Sequence, residues 1–228
     1  MTNQKYGVSA LGLQRLLGLG SYQTAWTMLH KLRTAMVRPG RERLQGIVEV
    51  DETYVGGIEQ GRRGRGTERT FIVAIAIEVL SPVGFGRVRL KRVVDTSSRS
   101  LIPFVQFAIE PGPQVHTDAW KGYVGLAKEG YEHHAVSISS SGDPAHVVMP
   151  GVHKIASLLK CWMLGTHQGS VTVTHLDAYL DEFAFRFNRR KSRRRGMLFY
   201  RLLENAVLTQ PTRFRHSRAS QSTSKHKL

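Results

Sequence analysis

The stretch VEVDETYVGG, residues 48–57, places Glu49, Asp51 and Glu52 within four positions of a chain whose formal charge is +16. A strongly basic protein that gathers carboxylates on one strand has a use for them. Two carboxylates at neighbouring strand positions can share hard cations such as Mg²⁺, which prefers oxygen ligands. A paired-ion site activates the attacking oxygen with one ion and stabilises the leaving oxygen with the other. Asp118, in HTDAWKGY, falls just past a later strand and could supply the second carboxylate beside Asp51. The alternative for Asp118 is plainer: it caps a helix starting at Ala119.

The bases are clustered too. GGIEQGRRGRG, residues 56–66, interleaves glycine with Arg62, Arg63 and Arg65 and is too polar to be buried. A long hairpin loop would account for it, but the composition favours a loop that contacts phosphates. RFNRRKSRRR, residues 186–195, holds seven basic residues in ten positions, among them Arg189, Arg190, Arg193, Arg194 and Arg195. Cations complement a helix C-terminus. The density here exceeds what capping needs, which favours a DNA-backbone surface.

The elements that must position these groups follow from periodicity. Val48 and Val50 alternate with Glu49, Asp51 and Thr53, a strand of period two. FIVAIAIEVL, 71–80, is a nearly continuous apolar run, as in a central strand. FGRVRLKRVV, 85–94, alternates again. Residues 98–109 read as a helix that Pro103 keeps short or kinked. QVHTD is a short strand, AWKGYVGLAKEG a short helix and YEHHAVSI another strand. A Ser-rich loop, 137–145, leads to helices near 151–165 and 175–190. In the last of these, Leu176, Tyr179, Leu180, Phe183, Ala184 and Phe187 form a core face. The core therefore reads β-β-β-α-β-α-β-α-α. Ahead of it, residues 9–37 read as two helices, broken by GLG and restarted by Ser21 as an N-cap. A helix-turn-helix and a plain helical hairpin both fit. From Thr209 the chain is polar and basic without apolar period, and disorder is expected.

Composition narrows the class. The 33 Lys and Arg against 17 Asp and Glu, with pI near 10.5, point to a polyanion partner, most simply nucleic acid. No apolar run reaches the ~18 residues of a membrane span. The N-terminus lacks the pattern of a signal peptide, so a cytoplasmic location is expected. A single cysteine, Cys161, excludes intrachain disulfides and a zinc site of several thiolates.

VEVDETYVGG, HTDAWKGY, LLKCWMLGTHQGSV and HLDAYLDEFAFRFNRR, in this order, resemble the transposases of bacterial insertion sequences in the ISXO2-like group, part of the Merlin superfamily. The resemblance spans most of residues 9–196. It implies a ribonuclease-H-like mixed sheet flanked by helices, a DDE-type site with Mg²⁺ or Mn²⁺, and DNA strand cleavage and joining. It also implies DNA partners (element ends and target) and a homo-oligomer on DNA. By that resemblance Asp51 is the first catalytic acid and metal ligand, and Asp118 the second. At the third position stands His153, followed by Lys160 two helical turns on; the family tolerates Asn, Glu or His there. Ile155, Leu158, Leu159, Trp162 and Met163 make the core stripe of that helix, and His153 and Lys160 fall on the other face, within ~20° of each other. A neutral imidazole can ligate a metal, and Lys160 would hold a DNA phosphate as a point charge.

The expected organisation is a helical segment over 1–45, a catalytic domain over 46–196, and a short helix with a basic tail over 197–228. Relatives usually carry an N-terminal zinc ribbon with paired CxxC motifs, which this sequence lacks. A catalytically silent DNA-binding copy that competes for element ends, and a nuclease that cuts without joining, are the competing readings.

Overall fold

A computed structural model of the chain describes residues 7–37, 40–56, 70–82, 84–136, 144–167 and 171–209. The expected basic loop with Arg62, Arg63 and Arg65, most of the Ser-rich loop, and the polar tail beyond Thr209 lie outside them. The elements in chain order are α1 (Ala10–Leu17), α2 (Tyr22–Ala35), β1 (Ile47–Gly56), β2 (Thr70–Leu80), β3 (Gly84–Val93), α3 (Ser98–Ala108), β4 (Gln114–Asp118), β5 (Glu132–Val136), α4 (Ala145–Val148), α5 (Pro150–His167), α6 (Val173–Asn188) and α7 (Arg195–Leu208). They fall into two compact units: the described residues between 42 and 164 with Val171, and those up to 41 with 165–167 and from 172 on.

The first unit is built on a five-stranded sheet in the order β3-β2-β1-β4-β5. β1, β2 and β3 run antiparallel to one another, while β4 lies parallel to β1 and β5 parallel to β4. This is a mixed sheet flanked by helices, as the family resemblance implies. β1 is central, with Val50 facing Ala76 on β2 and Thr117 on β4. The strand alternation places Val48, Val50 and Val115 in one buried cluster with Leu101, Phe104 and Val105 of α3 and with Tyr123. The opposite face of β1 carries Glu49 and, by the period of two, Asp51. There the start of α5 packs so closely that a Cβ on Gly151 would stand 2.9 Å from Glu49 Oε2 and 3.0 Å from Ile77 Cγ2.

Three local expectations need correction. AWKGYVGLAKEG forms two 3-10 turns, Lys121–Tyr123 and Leu126–Glu129, because Gly125 interrupts the run and Gly130 ends it at φ 85°. Leu158 is 42% exposed, so the buried stripe of α5 is Val152, Ile155, Leu159, Trp162 and Met163. Ser21 opens α2 without a side-chain cap bond. Ser9 does cap α1: its Oγ accepts the Gly12 N–H at 3.0 Å.

The second unit is helical. Gly18, left-handed at φ 61°, closes α1 and lets the chain turn into α2. Arg33 of α2 meets Glu182 of α6 at 2.7 Å with both side chains buried, and its guanidinium lies over Tyr179. His30, His167 and His175 gather beside Arg33. The His30 and His175 rings are 4.7 Å apart, and His167 stacks on Tyr179 at 4.0 Å. Burial, then the Arg33 charge, holds His30 down to about 3 and His167 down to about 4. α7 is longer than a short helix, at 14 residues, and buries Leu202 with Ala35, Met36 and Phe185.

Candidate active site

β1 and β4 are paired in parallel through Val50 and Thr117, so the next residues along, Asp51 and Asp118, stand side by side. Asp118 is the last residue of β4. Asp118 thus ends its strand, while Asp51 lies midway along β1, just past the stretch paired in parallel with β4. Alternation places both on the face that the start of α5 approaches.

The electrostatics are those of crowded acids. Asp51 is pushed up to about 7, chiefly by burial, and further by the charges of Glu52, Asp118 and Glu49; the Glu52 N–H bond to Asp51 Oδ1, at 2.7 Å, opposes the shift. The Asp118 Oδ1 atom accepts the Trp120 N–H at 3.2 Å. That bond closes a turn and does not cap an α-helix, which corrects the simpler expectation for Asp118.

The two other acids of VEVDETYVGG hold the frame. Glu52 lies on the core side of β1, where its Oε2 accepts the Tyr123 hydroxyl at 2.7 Å. Burial first, and the neighbouring Glu52 charge second, push the Tyr123 phenol well above its ordinary value. Glu49 is 4% exposed, and its Oε2 accepts the backbone N–H groups of Gly151 at 2.8 Å and Val152 at 3.0 Å. Those donors belong to the first turn of α5 and have no partner within the helix. Met149, which precedes the helix, has no side-chain acceptor, so Glu49 serves as the cap from β1. Burial still raises Glu49 above the usual carboxylate value. Sequence reasoning missed this role; the signal was an acid inside a strand and a helix start with no polar cap of its own.

His153 follows Val152 by one residue on α5 and is half-buried. Lys160 is exposed on the same helix. Among the described residues, no three His, Cys, Asp or Glu side chains stand close enough together to hold a metal ion. The register brings Asp51 and Asp118 together.

In the helical unit the basic run divides in two. Arg189 donates to the Phe185 carbonyl and its guanidinium lies 4.0 Å from the Phe185 ring centroid. Arg190 donates to the Phe187 carbonyl and lies 3.8 Å from the Phe187 ring centroid. Both are engaged with the C-terminal end of α6. Lys191, Arg193, Arg194 and Arg201, together with Arg189, line a cavity of about 480 Å³ that Met197 and Leu198 also border. The side chains of Lys191, Arg193, Arg194 and Arg201 are exposed. Arg195 begins α7.

Comparison with known families places these features in context. The ISXO2-like transposase domain matches residues 43–188. The chain belongs to that transposase family. Its match begins just before β1 and ends with α6, so it takes in Asp51, Asp118, His153 and Lys160. Among solved structures, the catalytic core domain of BIV integrase aligns with a TM-score of 0.40 and 16% identity, covering 65% of this chain and 86% of that one. A pre-cleavage Mos1 transpososome aligns with a TM-score of 0.36 and 14% identity, covering 92% of this chain and 81% of that one. No curated protein sequence matches the transposase at a significant level. Among its described residues no helix is long and apolar enough to cross a membrane.

Proposed function

We propose that this transposase cuts DNA at the ends of an insertion sequence and joins the freed 3′-hydroxyl to target DNA, with Asp51, Asp118 and His153 as its divalent-metal site. The observation that carries the proposal is the parallel pairing of β1 and β4 up to Val50 and Thr117, one residue before Asp51 and Asp118, whose charges act on each other, within the family domain. The carboxylates suit Mg²⁺ or Mn²⁺, and His153, which the described structure does not group with them, would have to close on the pair to complete the site. The two carboxylates offer hard oxygen atoms, and burial first, then the charges of the neighbouring acids, raise Asp51 in a way that a bound cation offsets. When bound, such ions would activate the attacking oxygen and stabilise the leaving one.

The chain's own residues supply the rest. Asp51 and Asp118 hold the two fixed strand positions. Tyr123, through Glu52, ties the turn after β4 to β1. Glu49 ties α5 to the same strand, and with it His153 as the third ligand. Lys160, two turns along, takes a DNA phosphate near the site. Lys191, Arg193, Arg194, Arg195 and Arg201 contribute backbone contacts, as do Arg62, Arg63 and Arg65. Arg189 and Arg190 add charge while they hold the end of α6. In the reaction, water attacks a phosphodiester and releases a 3′-hydroxyl end; that hydroxyl then attacks a phosphodiester of the target. A homo-oligomer on DNA would hold two element ends together.

The test is cleavage of an element-end duplex, taken from the DNA flanking the gene, with Mg²⁺ or Mn²⁺. Asp51→Asn and Asp118→Asn should each abolish cleavage and leave DNA binding intact, since they change charge and hardly shape. A parent that binds the ends but never cuts them would instead make it a silent DNA-binding copy. Cutting without joining would make it a nuclease.

A further inference from the structure

Trp120 stands two residues beyond Asp118, and 43% of its side chain is exposed. An exposed indole is usually free to turn, but this one is fixed at three points. Its Nε1–H donates to the Thr96 carbonyl at 2.8 Å. Its backbone N–H donates to Asp118 Oδ1 at 3.2 Å. Gly122 closes the turn beneath it: a Cβ there would stand 2.5 Å from the Thr96 oxygen and 3.0 Å from Trp120 Cδ1. The position therefore has no room for a side chain, and the glycine allows the indole to lie against this turn. Among the described residues, no aromatic ring stacks on Trp120 and no cation lies over it. Val94 at 85% exposure and Val124 at 72% extend the apolar character nearby on the loops to either side.

We infer that Trp120 is a stacking platform for a nucleobase of the DNA strand held at Asp51 and Asp118. The inference rests on the transposase reading and adds a residue to it. A chain of charge +16 brings DNA to this surface by attraction to phosphates. Beside the acid pair, the attacked phosphodiester must come away from regular duplex geometry, and the base next to it needs a new apolar surface. A fixed indole face costs little entropy to use and accepts any base. The Thr96 bond orients the ring and the Asp118 turn sets its distance from the acids, so the base and the phosphodiester are positioned by one short segment.

The competing explanation is structural: the indole merely ties two loops together through its N–H. Phenylalanine separates the two, because it keeps a stacking face and loses the donor. The experiment uses the full chain without metal and a forked oligonucleotide duplex, intact or with single abasic sites at successive positions near the fork. Trp120→Ala should weaken fork binding about tenfold, in line with ~1–3 kcal/mol for one base stacked on an aromatic side chain. Trp120→Phe should bind within a few fold of the parent. One abasic position should weaken the parent by the same factor and have no further effect on Trp120→Ala. A fork carrying 5-bromouracil at that position should crosslink to the Trp120 peptide under ultraviolet light. Equal loss in Trp120→Phe and Trp120→Ala, or an abasic effect that persists unchanged in Trp120→Ala, overturns the inference while salt-dependent DNA binding by the parent still upholds the wider reading. Failure of the parent to bind any DNA would sink both.

Discussion

Glu49 on β1 accepts the backbone N–H of Gly151 on α5 at 2.8 Å, across 102 residues of chain. One carboxylate thereby fixes where the helix carrying His153 begins relative to the strand carrying Asp51. Glu49→Ala should remove the cap and cost about 1–2 kcal/mol, the upper range for loss of a helix cap. That corresponds to a fall of a few degrees in Tm for a chain of this size. Glu49→Gln keeps an acceptor oxygen and should retain most of the stability. Amide exchange at Gly151 and Val152 would report the change directly, and unaltered protection there in Glu49→Ala would refute the capping role. Gly151→Ala tests the same contact from the other side, since its Cβ would press on Glu49, Phe85 and Ile77 at 2.9, 2.9 and 3.0 Å.

Asp51 should make the metal-free protein less stable as pH rises. Its folded-state value, about 7, stands above the ordinary 3.8, so between those limits the native state holds more proton than the unfolded state. The Asp51 contribution to stability therefore falls across that window and is lowest above pH ~7. Asp51→Asn removes a charge that burial chiefly, and the neighbouring acids secondarily, disfavour, and should melt higher than the parent in metal-free buffer above that pH, by ~2–4 °C for each kcal/mol relieved. Mg²⁺ or Mn²⁺ should raise the melting temperature of the parent and barely move that of Asp51→Asn. A variant that melts lower than the parent without metal would contradict this account of the acid cluster.

The alternation of Val48 and Val50 with Glu49 and Asp51 is visible in ten residues of sequence, and it correctly separates the core face of β1 from the acidic one. The pairing of Asp51 with Asp118 was suggested by their strand positions and by the family resemblance, but the parallel pairing of two strands far apart in the chain, on which it depends, was not legible. The cap on α5 left only an indirect signal, an acid inside a strand and a helix start without its own polar cap, because acceptor and donors lie on different elements. Trp120 was hidden for a related reason: its exposure and fixed position depend on the turn around Gly122 and on the Thr96 carbonyl, which the sequence does not bring together. The leucine at position 158 was misplaced because a helical stripe marks a direction and does not set the width of the buried face.

The histidines of the helical unit predict acid sensitivity of the opposite sign. His30 and His167 are held down to about 3 and about 4, so in the native state they stay neutral through mild acid. The unfolded chain takes up those protons near pH ~6.5. The stability these groups contribute is therefore full above that pH and declines as pH falls from ~6.5 toward ~4. Denaturant unfolding followed by fluorescence over this range should show the decline, and His30→Gln should flatten it. Because Asp51 contributes with the opposite sign over this window, the deciding comparison is parent against variant: an identical pH dependence of stability in the parent and His30→Gln would rule out the neutral, buried state of His30.

The basic run predicts two separable phenotypes. Neutralising Lys191, Arg193 and Arg194 together should flatten the dependence of DNA affinity on salt, by a slope of about 0.9 for each phosphate that is no longer neutralised. These side chains are exposed, so the melting temperature should hardly move. Arg189→Ala with Arg190→Ala should lower the melting temperature as well, because both side chains bond the last carbonyls of α6 and lie against phenyl rings. An unchanged salt slope in the triple variant would remove that turn from the DNA surface.

His153 carries the sharpest chemical prediction. An imidazole that binds metal must be neutral, so proton and metal compete for the same nitrogen. Cleavage should therefore fall as pH drops through the imidazole range, near ~6.5. Mn²⁺ should support more activity than Mg²⁺, because imidazole suits the softer ion better. His153→Glu restores an oxygen ligand and should move the acid limb to lower pH while narrowing the difference between the two metals. His153→Ala should lose most cleavage and keep DNA binding. The assay is a pre-cut element-end duplex titrated with each metal across pH. Cleavage by His153→Ala at the parent's rate, with the same pH profile, would reduce His153 to an ordinary residue of α5 and leave Asp51 and Asp118 to act with another third ligand.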